Sequence, residues 1–156
     1  MVATFYLNYN ENKTVVNFGF ANNSVPGGGA TGNRLHGFVW LDGNGNGFQD
    51  AMEPGFGGVQ VMLMDGVTGS ILASTTTDAA GLYLFTGISD GSYRVRVIPV
   101  INYVNYTLSL RDVNGNASDS FDSDVDINSG VSGSVLVSGG MDVPIDAGLV
   151  PVLLDN

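Results

Sequence analysis

The chain has 156 residues, no cysteine, and 15 acidic against 5 basic residues, which gives a formal net charge of −10. The lack of cysteine excludes a disulfide framework and a thiolate metal site, and the negative charge argues against nucleic acid or an anionic membrane as a partner. No apolar run approaches the ~18 residues of a membrane-spanning helix, so membrane insertion is not expected.

The first twenty residues predict two short strands, near 3–8 and 14–20. A two-stranded unit cannot bury an apolar face by itself, so this segment is expected to pack on its own module or to add strands to a neighbouring subunit. Strand addition would give a head-to-tail contact that does not close, and hence a filament. The apolar side chains available for this contact are Phe5, Leu7, Val15, Phe18 and Phe20.

Residues 21–34 are predicted to be a Gly-rich linker that leads into a module over residues 35–150. In the module, short apolar stretches alternate with Gly, Asn and Asp turns, and no stretch has a sustained helical period. This pattern predicts an all-β fold, a two-sheet antiparallel sandwich. The strands are expected near 36–41, 58–64, 71–76, 82–86, 92–98, 104–110, 134–138 and 143–149. Residues 151–156 form a C-terminal tail, either a further strand or the start of a linker.

Residues 42–53 carry the strongest chemical signal in the sequence. They fit the pattern D-x-[DN]-x-[DN]-G-x5-E at every specified position. Calcium takes six to eight hard oxygen ligands, and Gly47 permits the sharp turn that such a loop needs. A strand-like stretch precedes the loop and Pro54 follows it, so the helix-opening switch of calcium sensors is not available and the ion is expected to stiffen the fold. The predicted ligands are Asp42, Asn44, Asn46, the carbonyl of Phe48, Asp50 and Glu53.

A second acidic stretch spans residues 112–126, with five Asp and two Asn. Like charges at this density give a mobile solvated loop unless cations bind among them, and both interpretations stay open. If the stretch does bind metal, the predicted ligands are Asp119, Asp122, Asp124 and Asp126.

Several motifs, in this order and spacing, resemble the SdrD B-like repeat domain, a relative of the Cna-B and transthyretin-like sandwiches. The motifs are G-F-V-W-L-D at 37–42 with D-A-M-E-P-G at 50–55, G-V-Q-V-M-L at 58–63, T-D-A-A-G-L-Y-L-F at 77–85, G-S-Y-R-V at 91–95, D-S-D-V-D at 122–126 and D-A-G-L at 146–149. The resemblance implies that the sandwich is of the Ig-like or prealbumin-like kind. It also implies a calcium-stiffened stalk module of secreted or wall-attached bacterial surface adhesins, usually present in tandem.

These observations favour an extracellular, calcium-stabilised structural module, a stalk repeat or a fibre subunit assembled head to tail with copies of itself or neighbouring modules. The alternative is a carbohydrate- or protein-binding adhesin module, or an accessory domain of a larger secreted protein. An enzyme is not expected, because the single His36 lies at a strand edge and no Ser-His-Asp order is convincing. The aromatic side chains that could stack on a sugar, if exposed, are Trp40, Tyr83, Tyr103 and Tyr106. Trp40 and Tyr83 lie in predicted strands and are expected in the core, so Tyr103 and Tyr106 are the better candidates.

Overall fold

The computed structural model of the protein describes residues 32–101, 104–112 and 122–152. The N-terminal segment, with its five candidate strand-donating side chains, lies outside the described residues, as do Tyr103 and Asp119. In chain order the strands are β1 Asn33–Leu41, β2 Gln60–Asp65, β3 Ile71–Thr76, β4 Leu82–Ile88, β5 Gly91–Ile98, β6 Val100–Ile101, β7 Val104–Leu108, β8 Val135–Val137, β9 Asp142–Pro144 and β10 Ala147–Pro151. In the described part of the chain, no helix is long and apolar enough to cross a membrane.

The strands form two sheets, which confirms the predicted all-β sandwich. One sheet has the order β4-β1-β10-β7-β6 with β9 also paired to β1, and the other has the order β3-β2-β5-β8. Most pairs are antiparallel, but β1 runs parallel to both β9 and β10. The strand predicted over 143–149 is divided in two because Asp146 interrupts the ladder, and its Oδ1 accepts a hydrogen bond from Phe38 N at 2.7 Å.

The core lies between the sheets and follows the period-two pattern of the strands. Tyr93, Val95 and Val97 are buried in it, whereas Arg94 and Arg96 on the opposite face of β5 are exposed, as predicted. The other predicted strands of the module are present with ends displaced by at most three residues, while β6 was not predicted. Because β1 begins at Asn33, the last two residues of the predicted linker belong to the strand.

The strand directions place the two ends of the module at opposite poles. β10 runs parallel to β1, with Val39 opposite Ala147 and Leu41 opposite Leu149. The chain therefore enters the module at the end of the sandwich that contains Asn33, here called the entry pole. It leaves at the end that contains Leu41 and Pro151, here called the exit pole. The loop over residues 42–53 follows β1 directly and so lies at the exit pole.

Candidate metal centre

Asp42 anchors the loop over residues 42–53. Its side chain is buried, and its two oxygens accept hydrogen bonds from Gly45 N at 2.7 Å, Asn46 N at 3.2 Å and Gly47 N at 2.9 Å. Ser109 Oγ, from the segment after β7, donates a fourth at 2.6 Å. Gly45 and Gly47 have φ of 69° and 84°, so the curl of the loop requires glycine at these positions.

The polar side chains of the same loop converge on one point. Asn44 Nδ2 and Asn46 Nδ2 both donate to Asp50 Oδ2, at 2.7 and 2.9 Å. The amide oxygens accept from the backbone, Asn44 Oδ1 from Asn46 N at 3.0 Å and Asn46 Oδ1 from Phe48 N at 2.8 Å, so turning the amides to present three oxygens at that point would break these two bonds. Glu53 closes the loop, because its Oε1 accepts from Gly43 N at 2.8 Å and its Oε2 from Asp50 N at 3.1 Å.

A second acidic group, here called the aspartate cluster, consists of Asp112, Asp122 and Asp124. Each offers an oxygen, and these oxygens lie within 4.8 Å of one another. Asp122 and Asp124 are buried and Asp112 is half-buried. Asp112 Oδ1 and Asp124 Oδ1 are buried and have no hydrogen-bond partner. Within the described ranges, the carboxylates of the 42–53 loop do not form such a group.

Burial raises the pKa of Asp124 from 3.8 to about 7. The nearby carboxylates of Asp146, Asp122 and Asp112 act in the same direction. The hydrogen bond that Asp124 Oδ2 accepts from Asp146 N, at 2.7 Å, favours the ionised form but does not outweigh them. Burial and the neighbouring carboxylates therefore favour a proton or a cation at Asp124.

Backbone pairing joins the cluster to the loop and to the central strands. Phe48, whose carbonyl was predicted as a loop ligand, forms an antiparallel bridge with Asp122. Asp112 N donates to Ser123 O at 2.9 Å, and Asp124 N donates to Asp146 O at 2.9 Å. The two acidic regions are thus neighbours connected by the main chain.

The predicted ligands divide between these two regions. Six of them lie in the 42–53 loop, and Asp122 and Asp124 lie in the aspartate cluster. Asp126 lies apart from the cluster in a turn, where its Oδ1 accepts from Asn128 N and from both Ser129 N and Ser129 Oγ.

Sequence reasoning missed two acidic residues at the cluster. Asp112 belongs to it and Asp146 adjoins it. Asp112 begins the acidic stretch, which was a usable signal. Asp146 is distant in sequence, and only the fold brings it near.

The candidate sugar-stacking side chains are largely covered. Trp40 and Tyr83 are buried, and Tyr83 Oη donates to Ile145 O at 2.6 Å. Tyr106 is half-buried and packs edge-on against Phe56, with ring centroids 5.2 Å apart. None of these three side chains is therefore an open stacking platform.

The oxygen donors present fit a hard divalent cation. Asp112 Oδ2 pairs with Arg111 Nε at 2.9 Å and Asp124 Oδ2 accepts from Asp146 N, but the buried Oδ1 of each residue lacks a partner. An unsatisfied buried carboxylate oxygen is costly unless it is protonated or bound to a metal. The donors are carboxylates, amides and carbonyls, the oxygen set that such cations prefer.

The model of the family described as SdrD B-like domain matches residues 33–149, which confirms the resemblance carried by the motifs. Bone sialoprotein-binding protein of Staphylococcus aureus strain MRSA252 is 42% identical over 86 residues, 53% of this chain and 8% of that protein. Serine-aspartate repeat-containing protein E of Staphylococcus aureus strain MSSA476 is also 42% identical over 86 residues, 53% of this chain and 7% of that protein. The chain thus spans less than a tenth of the length of these curated relatives.

Two solved structures are similar at low sequence identity. BcpA, the major pilin subunit of Bacillus cereus, gives a TM-score of 0.46 at 14% identity, over 78% of this chain and 30% of that one. GBS52, the minor pilin of Streptococcus agalactiae, gives 0.45 at 11% identity, over 80% of this chain and 46% of that one.

Proposed function

The chain belongs to the SdrD B-like family, whose domains are structural modules of surface adhesins and not enzymes, and from this premise we propose that it is an extracellular module stiffened by calcium. It serves as a stalk repeat or fibre subunit, joined to copies of itself or to neighbouring modules. Its location is the cell surface or the secreted space.

The observation that carries the calcium proposal is the aspartate cluster. Three carboxylates within 4.8 Å, two of them buried, repel one another when all are ionised. The unpartnered oxygens of Asp112 and Asp124 would be ligands of the ion, together with Asp122. A bound divalent cation would remove both the repulsion and the missing partners.

Calcium is favoured over other divalent ions by the donor chemistry. Zinc prefers nitrogen and sulfur ligands, and the sequence has one histidine and no cysteine. Magnesium demands near-octahedral geometry and keeps several waters, whereas calcium accepts irregular oxygen sets such as a twelve-residue loop supplies. In the loop, the ligands would be Asp42, Asn44, Asn46, the Phe48 carbonyl, Asp50 and Glu53.

A structural role for the ions follows from what the two acidic regions connect. The loop joins β1 to the segment before β2, and Ser109 ties it to the end of β7. The aspartate cluster lies in the connection between β7 and β8, and Asp124 is hydrogen-bonded to Asp146 in the segment between β9 and β10. Ions at both places would fasten long connections to the strands rather than move a helix, so calcium is expected to raise stiffness and stability.

The proposal is tested by thermal melting of the full chain in excess calcium, in excess magnesium and in chelator. Because an ion that binds only the folded state stabilises it by mass action, the melting temperature should rise with calcium concentration and fall in chelator. Magnesium at equal ionic strength is the control and should have a smaller effect. A melting temperature that is the same in calcium and in chelator would reject structural calcium.

A further inference from the structure

We propose that Arg111 is a built-in counter-ion of the aspartate cluster, which competes with calcium for Asp112 and so keeps the calcium affinity of the cluster low. This inference rests on the proposed binding of calcium at the cluster, and it names the residue that regulates that binding. A low affinity suits a module that meets abundant calcium outside the cell. Without calcium, the guanidinium partly neutralises the carboxylates.

A direct ion pair joins Arg111 to the cluster. Arg111 Nε donates to Asp112 Oδ2 at 2.9 Å, and the two side chains are 36% and 24% exposed. The same carboxylate contributes an oxygen to the group that it forms with Asp122 and Asp124, and its Oδ1 is buried without a hydrogen-bond partner. One carboxylate therefore serves both the fixed cation and the proposed ion.

The backbone holds Arg111 beside the cluster. Arg111 forms a parallel bridge with Ser123, the residue between Asp122 and Asp124. Its side chain lines a cavity of about 100 Å³ that Asp124 also lines. Gly133 leaves room for the guanidinium, because a Cβ at that position would lie only 3.0 Å from Arg111 Nη2. The position of this positive charge is thus fixed by the fold.

The other described basic side chains do not form an ion pair with the cluster. Arg34 and His36 both contact Asp142, at 2.7 and 3.3 Å. Arg94 and Arg96 are exposed on the outer face of β5. Within the described ranges, Arg111 is therefore the one basic residue that is paired with a carboxylate of the cluster.

Coulomb repulsion gives the expected size of the competition. An ion bound to Asp112 at about 2.4 Å would lie about 6 Å from a guanidinium that is paired with the same carboxylate. At that distance a unit positive charge weakens the binding of a divalent ion about tenfold, and that of a trivalent ion about thirtyfold, even at the dielectric constant of water. If Arg111 only aligned Asp112, its removal would instead lower the affinity for both ions.

The test is calorimetric titration of the full chain with calcium and, separately, with terbium. The binding step that Asp124→Asn removes belongs to the cluster. In that step Arg111→Gln should raise the affinity about tenfold for calcium and about thirtyfold for terbium. Arg111→Lys keeps the positive charge and should stay close to the wild type. Arg94→Gln is the matched control, because it removes the same charge from an exposed position on β5 and should leave both affinities unchanged.

Thermal melting of the same proteins gives a second measurement. In chelator Arg111→Gln should melt below the wild type, because the cluster loses its counter-ion, and the difference should shrink in saturating calcium. An unchanged or lower calcium affinity of Arg111→Gln would overturn the proposal, as would equal gains for calcium and terbium, and both results would leave calcium binding intact. A wild type that responds to calcium neither in titration nor in melting would overturn this inference and the proposed function together.

Discussion

The 42–53 loop and the aspartate cluster are both acidic, but their buried carboxylates differ in how completely they are hydrogen-bonded. In the loop, Asp42 is buried and yet satisfied, because three backbone N–H groups and Ser109 donate to it. In the cluster, Asp112 and Asp124 each have a buried oxygen without a hydrogen-bond partner, and the pKa of Asp124 is raised to about 7.

This difference separates two ways of building a cation site. The loop gathers its donors from twelve consecutive residues and is held in shape by its own backbone, so it can keep its form without an ion. The cluster gathers its donors from segments that meet only in the fold, and its repulsion opposes folding until a proton or cation arrives. Loss of the ion is therefore expected to cost the cluster more than the loop.

The largest effect is expected from Asp42→Ala, which tests whether the loop is held without metal. The change leaves three backbone N–H groups and the Ser109 hydroxyl without their acceptor, at about 1–3 kcal/mol for each group that stays buried. Unfolding by urea should show a loss of several kcal/mol in chelator as well as in calcium. Asp50→Ala is the control, because Asp50 is exposed and should matter only when calcium is present. Equal stability of Asp42→Ala and wild type in chelator would contradict a self-supported loop.

The effect of Asp124→Asn on the free energy of unfolding should have opposite signs in chelator and in calcium, which tests whether the cluster binds metal. In chelator near pH 7 the amide removes a buried charge from among Asp112, Asp122 and Asp146, so the free energy of unfolding should rise by roughly 1–3 kcal/mol. In calcium the variant loses a charged ligand and should be less stable than the wild type. Asp126→Asn is the matched control, since Asp126 lies in an exposed turn and should show no sign change. An effect of the same sign in both buffers would argue against metal at the cluster.

The smallest expected effect is the part of the pH dependence of stability that arises from Asp124. The pKa of Asp124 is 3.8 as a free side chain and about 7 in the folded protein, so its contribution to stability is present below about pH 4 and is lost as the pH rises through 7. Between pH 5 and 7 in chelator, wild-type melting should therefore fall relative to that of Asp124→Asn. His36, whose pKa is lowered by burial, acts in the opposite direction in both proteins and cancels in the comparison. If the melting temperatures of the wild type and of Asp124→Asn changed equally between pH 5 and 7, the pKa of Asp124 would not be raised.

Much of the fold was predictable because its strands obey local rules. The alternation of residues 93–97 predicted which side chains of β5 are buried, and Gly-rich turns marked most strand ends. The parallel pairing of β1 with β9 and β10 was not predictable, because it joins segments that are distant in sequence; between the two pairings Asp146 Oδ1 accepts from Phe38 N. The short β6 was missed because two residues carry no periodicity.

The sequence by itself determined the family, the two-sheet fold and the 42–53 loop, since each depends on residues that are close together along the chain. Only the tertiary structure decided that Asp112, Asp122 and Asp124 meet and that Asp146 adjoins them. The tertiary structure also decided that β10 runs parallel to β1, so that the chain enters and leaves the module at opposite poles. Charge repulsion, burial and the direction of β10 are properties of segments brought together by folding, and no local pattern of residues records them.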